Sequence, residues 1–591
     1  MVQLPPPASD RTVWGPSTVD SATLGALRRR AAQTMGRPWP TPLARDYARY
    51  FRDGDRETYE TAIWGRERRL SRAVVLAAVT LDDAWLDETA DGITLFCEQS
   101  SWCWPAHDDT RTRHGAVVPT VTDPYLDLGA GEVAAQLAWA DHLLGAQLDE
   151  RVPGLRARIR HEVEHRVFTP FERRRDWHWL GLDGDVHNWS PWIHGNVLVA
   201  ALCLLPDTPR RDALMALVVE GLDRYAAALP ADGAIDEGYS YWWNGAGRLL
   251  EALALLDGPA PQGAVRATIG FPHRVHLGGS WYLNHADGQA RPTTDQPWAV
   301  LHRAARRAGD TAAEAHAAAH RVPGAPVAHE NQGLGRLLRA LTDPAWRDAA
   351  AGPSPLPRDA WFPSTQVRLA RAAAGSPAGL TLAVKGGHNG EHHNHNDVGS
   401  VVVALGGVPV LVDPGRPTYT ALTFSPRRYE IWTMQSAWHN VPRIRGAAQG
   451  TGRSFAARDV VPDDSGLTLD LGGAYPGDHR WRRAARLDRA TGRITVTDTW
   501  ELTGTGGTTE ISWMAAGAIR LSDGRAEVDA LDGAGTVALT WAPAAPATLT
   551  VRELDDPMLS DVWGERLTRL DIDVTALGPA GTLELNIEEL R

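Results

Sequence analysis

The chain has 591 residues, a formal charge of −12 and a pI near 6. That length favours two large domains over one. The charge excludes bulk attraction to nucleic acid or an anionic membrane, so an acidic ligand would need local Arg and His clusters to hold it. Tryptophan is abundant, 24 against 11 Tyr and 8 Phe. Several (Trp102, Trp104, Trp189, Trp192, Trp242, Trp243) stand beside polar residues, as rings that stack on sugars do, although Trp also fills helical cores. Only Cys97, Cys103 and Cys203 occur, with no C-x-x-C, which excludes a disulfide scaffold and a thiolate zinc site. No apolar run is long enough to span a membrane. The start, MVQLPPPASD, has no basic region followed by an apolar one; a cytoplasmic location is expected, or a secreted or periplasmic one if a leader has been removed.

In chain order, helical periodicity dominates the first 350 residues. Val133, Leu137, Leu144 and Leu148 recur at helical steps. So do Leu214, Leu217, Val218, Leu222, Tyr225 and Leu229, then Leu249, Leu253 and Leu256. Hairpins of this kind pack as a bundle, solenoid or toroid, and periodicity does not choose among them. A Pro-rich stretch at 351–358 suits a domain junction. Beyond it, short β segments at 366–370, 380–384, 400–412, 467–471, 493–502, 508–514, 536–541, 548–554 and 582–587 read as an antiparallel sandwich. The expected domains are thus 1–355, helical, and 356–591, antiparallel β, with ligands favoured at their interface.

Three constellations carry chemistry. His187-Asn188-Trp189-Ser190-Pro191-Trp192 precedes a helix expected to begin near Gly195. Asp232 to Trp243, DGAIDEGYSYWW, leads into another; helix starts offer backbone donors to anions. The third is KGGHNGEHHNHNDVGSVVVALGGVPVLVDPG, residues 385–415. Its alternation would place His393, His395 and Asp397 on one strand face. A strand, Gly406-Gly407 turn and second strand follow. Asp413 closes that hairpin, and His439 lies a little further on. His, Asp and His on a β framework match the ligand chemistry of zinc.

HNWSPW, DEGYSYW, HNHNDVGS, VDPG and AWHNV occur in that order, after an upstream CEQSSWCWPAHDD. Together they resemble the heparinase II/III-like polysaccharide lyases, a superfamily that includes alginate and glycosaminoglycan lyases. The resemblance spans roughly residues 60–450. It implies an α+β multidomain chain: an incomplete (α/α) toroid followed by an antiparallel β-sandwich, with the cleft between. It also implies β-elimination at a uronic acid. Asn188 would neutralise the substrate carboxylate, Tyr241 would shuttle the proton, with Tyr239 as its competitor, and His393 would be the catalytic histidine. His395, Asp413 and His439 would hold a structural divalent metal, zinc by ligand type. Substrate contacts would come from His187, Trp189, Tyr239, Arg416 and Tyr429, whereas His388 and His392 read as solvated loop residues. Trp189 departs from the Asn-His pair of some members, which leaves the second carboxylate contact open. The implied partner is an acidic oligosaccharide or polysaccharide, with no nucleic acid and no membrane; the oligomeric state, a homodimer included, stays open.

Two other readings compete. A glycoside hydrolase would use Asp236 and Glu237, but adjacent carboxylates cannot flank one bond, so Asp108 or Asp287 would have to join them. An inactive sugar-binding protein would keep the metal site and the cleft without turnover; an intact Asn188, Tyr241 and His393 set argues against it.

Overall fold

The computed structural model describes residues 4–590. Among them, six helices close a ring. Glu57–Thr80 packs on Leu128–Arg151, which packs on Trp189–Leu204. Ala246–Leu255, Trp298–Ala308 and Leu334–Leu341 follow, and the last returns to the first two. Asp83–Glu98, Leu155–Val163, Pro209–Ala228, Gly263–Ile269 and Thr311–Ala319 form an outer layer behind five of them. This is the incomplete (α/α) toroid that the motifs implied. No helix among the described residues is long and apolar enough to cross a membrane.

Local chemistry explains where the ring helices start. Leu128–Arg151 is buried over most of its surface, as an inner-ring helix must be. Its N-cap, Asp127, accepts from Ala130 N at 2.8 Å. The same carboxylate accepts from Trp104 N at 3.1 Å and meets His107 Nδ1 at 2.8 Å, so one cap also anchors the 101–108 loop. Trp189–Leu204 begins six residues earlier than Gly195, because Pro191 sits in its first turn, where a missing N–H costs nothing.

The helical region ends at Pro344–Arg347, and the first long sheet opens with Asp359–Phe362; one α-helix, Pro557–Trp563, lies within the β region. One antiparallel sheet runs Ala547–Glu553, Arg566–Asp573, Glu510–Ala516, Val408–Leu411, Val401–Leu405, Leu380–Lys385, Val367–Arg371, Asp359–Phe362. A second runs from Arg458–Pro462 through Arg480–Asp488, Arg493–Glu501 and Ala580–Leu590 to Ile519–Ser522. Their facing side chains, among them Leu382, Val403, Trp481, Trp513 and Leu585, form one core. Arg480–Asp488 was not expected from sequence. It nonetheless alternates cleanly, with Trp481, Ala485 and Leu487 inward, and Arg483 is buried against Asp498 at 2.9 Å.

The domains meet through backbone. The hairpin turn Gly406-Gly407 has positive φ at both residues, 60° and 87°. A Cβ on Gly407 would lie 3.0 Å from Gly278 Cα, so only glycine fits against the small hairpin His276–Gly278/Trp281–Tyr282 of the helical region. Arg371, buried, donates to Leu277 O at 2.9 Å and to His276 O. The loop that follows that hairpin, Asn284 to Gly288, reaches under the β domain, where Asn284 Nδ2 donates to Asp413 O at 3.0 Å.

Candidate active site

Asp287, fully buried on that loop, organises the seam. Its Oδ1 accepts from Arg428 at 2.8 Å and His395 Nε2 at 3.0 Å; its Oδ2 accepts from His393 Nδ1 at 2.7 Å and Tyr419 Oη at 2.8 Å. Burial alone would raise this carboxyl, but the Arg428 charge and the two histidine bonds hold it well below the usual carboxylate range. It is a fixed anion with every acceptor position in use.

The strand expected through His393, His395 and Asp397 is not formed. The segment is an irregular turn, and His393 sits at a φ of +53°, a region side-chain-bearing residues seldom enter. The turn sends His393 and His395 to the two oxygens of one carboxylate. Asp397 goes elsewhere, to Lys385 Nζ at 2.5 Å in the core. The hairpin beyond, Val401–Leu405 and Val408–Leu411, forms as expected.

Tyr241 stacks on His393 with ring centroids 4.0 Å apart, and its hydroxyl bonds that of Tyr419. Arg416 lies over the Tyr419 ring at 4.1 Å; its Nε has no partner, so it is a half-buried cation and not a surface turn residue. Burial pushes the Tyr241 phenol up to about 12 against the opposing pull of Arg416. Tyr239 is corrected: it is fully buried, stacked on Tyr282 at 3.9 Å as a packing residue, and offers neither a proton nor a substrate contact. Tyr429 is half-buried, and its hydroxyl accepts from Asn394 Nδ2 at 3.0 Å, which braces the turn.

The helical wall supplies Asn188, His187 and Trp189. Asn188 occupies the N-cap position but makes no side-chain cap bond, and its buried Oδ1 has no partner. Its Cβ lies against Gly245, in the turn that follows Tyr241. His187 meets His178 Nδ1 at 3.2 Å; burial first, then His178 and His392, lower it to about 4, so it is neutral at physiological pH. Trp189 packs on His107 at 4.3 Å and His178 at 4.9 Å. His388 is half-buried, but in a two-residue strand, His388–Asn389, paired with Gly452–Ala456 and not in the solvated loop expected. His392 is not a free loop residue either: it bridges Asp236 at 3.1 Å and Asp185 at 2.8 Å, tying the two domains, and those bonds raise it to about 10. Burial and Asp236 push neighbouring Glu237 up to about 8.

These contacts engage three of the four carboxylates that the hydrolase reading named, Glu237 being the exception. Asp236 pairs with His392, Asp287 has four donors, and Asp108 accepts from Tyr47 at 2.6 Å. Sequence reasoning named Asp287 only in that setting and missed Tyr419 and Arg428. The NHADG loop and the P-T-Y run after VDPG were the available signals.

His395, Asp413 and His439 place one ligand atom each within 4.8 Å of one another, all buried. The donor set suits a divalent metal. His439 Nε2 donates to Thr433 O at 2.9 Å and His395 Nε2 to Asp287, so each histidine keeps its Nδ1 lone pair for a ligand. Both Nδ1 atoms are buried without a hydrogen-bond partner, an arrangement a bound cation would complete.

A helical toroid delivering loops onto a histidine-bearing β-sandwich defines a fold shared with known polysaccharide lyases. Residues 354–579 match the family described as Heparinase II/III-like, C-terminal. Among solved structures, one titled heparinase III superposes with a TM-score of 0.60 at 10% identity over 90% of this chain and 78% of that one. Heparan sulfate lyase HepC from Pedobacter heparinus gives 0.56 at 12%, over 98% and 90%. Chondroitin AC lyase from Streptomyces coelicolor A3, solved with chondroitin sulphate, gives 0.51 at 11%, over 96% and 82%. No curated protein sequence matches. Residues 354–579 are thus heparinase II/III-like, and the chain as a whole shares the fold of these structures.

Proposed function

We propose that the protein is a lyase that cleaves a uronic-acid-containing glycan by β-elimination, leaving an unsaturated uronate. The observation that carries this reading is the Tyr241–His393 stack held over Asp287. The C5 proton becomes removable only when the adjacent carboxylate is neutralised. Asn188, its amide committed to no cap, donates to that carboxylate. Asp287 accepts from His393 Nδ1, which leaves Nε2 as the basic atom, suited to take the C5 proton. Tyr241 rests as a neutral phenol and protonates the departing O4; Tyr419 and Arg416 steady the phenolate that results. A zinc ion held by His395, Asp413 and His439 would brace the turn that carries His393.

Heparan sulfate and chondroitin are named for fold neighbours, and the present cleft adds a constraint. Arg428 is committed to Asp287, and Arg416 is the cation left beside Tyr241. Together with a net charge of −12, this favours a substrate with carboxylates over a densely sulfated one.

The test is ultraviolet absorbance of unsaturated ends across a panel of uronate polymers and oligomers. Tyr241→Phe should lose activity about 10²–10⁴-fold while staying folded. An aryl ether at O4, whose leaving group needs no proton, should restore turnover to Tyr241→Phe but not to His393→Ala. Rescue of the histidine variant instead would exchange the two roles, and no double-bonded product from any uronate would refute the lyase reading.

A further inference from the structure

The ring of helices is hollow. A cavity of about 390 Å³ lies between Glu57–Thr80, Leu128–Arg151, Trp189–Leu204, Ala246–Leu255 and Leu334–Leu341. None of Asn188, Tyr241, His393, Arg416 or Tyr419 lines it. Its volume is that of a small-molecule site.

Cations outnumber anions on its wall. Arg68, Arg248, Arg336 and Arg339 stand against Glu67, Glu132, Glu251 and Glu330. Glu67 is neutral at physiological pH, because burial and then Glu132 push its carboxyl up to about 8. The other three acids are already engaged. Arg248 pairs with Glu132, and Arg336 holds Glu251 at 2.9 Å. Glu330 is gripped by Arg30 at 2.5 Å and Arg72 at 3.1 Å, neither of which lines the cavity. Two arginines are left over. Arg339, buried, donates to a carbonyl, Glu251 O at 3.2 Å, and the Arg303–Asp343 pair behind it is closed on itself at 3.0 Å. Arg68, half-buried, has no hydrogen bond or ion pair among the described residues. A bare charge in such a hollow favours an anion beside it.

The same wall carries further unpartnered atoms. Asn196 Nδ2 and Arg248 Nε have hydrogens to give, and Gln136 Oε1 and Glu67 Oε1 have lone pairs. Asn196 and Gln136 are each only 6% exposed. Gln136 is fixed beside the Arg68 turn, its Nε2 donating to Glu67 O at 2.7 Å and to Ser71 Oγ at 2.9 Å. Trp64, Trp139 and Trp192 supply aromatic surface. A bare inorganic anion would answer the arginines and leave the two amides unsatisfied; a neutral sugar would do the reverse. A ring of hydroxyls that also bears an acid group, laid against indole, answers both.

We propose that the bore of the toroid is a second ligand site, taking an acidic sugar of one or two rings whose acid group meets Arg68. It is separate from the seam and does not rest on the lyase reading. The experiment is titration calorimetry of the full chain, with tryptophan fluorescence as a second readout. Glucuronate and glucose 6-phosphate are the acidic sugars, glucose the neutral one, and inorganic phosphate the anion without a ring. Saturable binding of an acidic sugar is expected, about tenfold tighter than glucose or phosphate. Arg68→Gln and Gln136→Leu should each weaken it about tenfold, and Asn188→Ala should leave it unchanged. Arg68 has no partner to lose, so its variant keeps the fold, which thermal melting checks. Absence of binding by both acidic sugars would overturn the proposal, as would glucose or phosphate binding as tightly as they do. So would binding that Arg68→Gln leaves intact, or binding that disappears in Asn188→Ala, which would place the ligand at the seam.

Discussion

The two walls of the cleft are built on opposite principles. On the β side every acceptor position of Asp287 is filled, and through it the orientations of His393, His395, Tyr419 and Arg428 are fixed. On the helical side Asn188 Oδ1 is buried without a partner and His187 is a neutral ring against another histidine. The saturated wall fixes its proton positions in advance, and on the proposed lyase reading the helical wall keeps bonding capacity for a substrate, Asn188 through its Nδ2 hydrogens.

The largest expected effect breaks the saturated wall. Asp287→Ala leaves a buried arginine and two histidines without their anion and should cost about 3–5 kcal/mol in denaturant unfolding; a loss under 1 kcal/mol would show that the hub is not what holds the wall. Asn188→Ala probes the other side. It should lower kcat about 10²–10³-fold with an unchanged melting temperature, since the side chain caps nothing. Next comes the metal: elemental analysis should find one equivalent of zinc, absent in His439→Ala, and its removal should lower stability by roughly 2–3 kcal/mol. Phe424, 59% exposed and edge-on to His393 at 5.4 Å, offers a stacking face at the mouth. Phe424→Ala should raise KM by about 1 kcal/mol's worth, near fivefold, with kcat held. The smallest effect belongs to His392. Its pKa is raised to about 10 in the fold, so the stability it lends is complete below its unfolded value and disappears as pH climbs through about 10. Its ring is 38% exposed, so Asp236→Asn should remove less than about 1 kcal/mol at neutral pH and bring the titration, read by NMR, down toward the ordinary range.

Local chemistry was legible and long-range pairing was not. The 401–411 hairpin could be read because valines flank a Gly-Gly that only a tight turn needs. Asp287 could not, since its partners lie 106 to 141 residues away and no periodicity records them. HNHND alternates like a strand, yet its asparagines and the +53° φ of His393 belong to a turn. RWRRAARLD hid a strand because its arginines mask the inward Trp481, Ala485 and Leu487, and one of those arginines points inward to Asp498. Tyr239 and Tyr241 are two residues apart in one short helix, and only packing against Tyr282 tells the first from the second.

Asp127 gives the cleft and the hollow of the helical ring a party wall. From that single residue hang Trp104, at the border of the bore, and His107, whose ring touches Trp189 on the cleft side. Substitution of this one acid would therefore be felt on both sides of the partition.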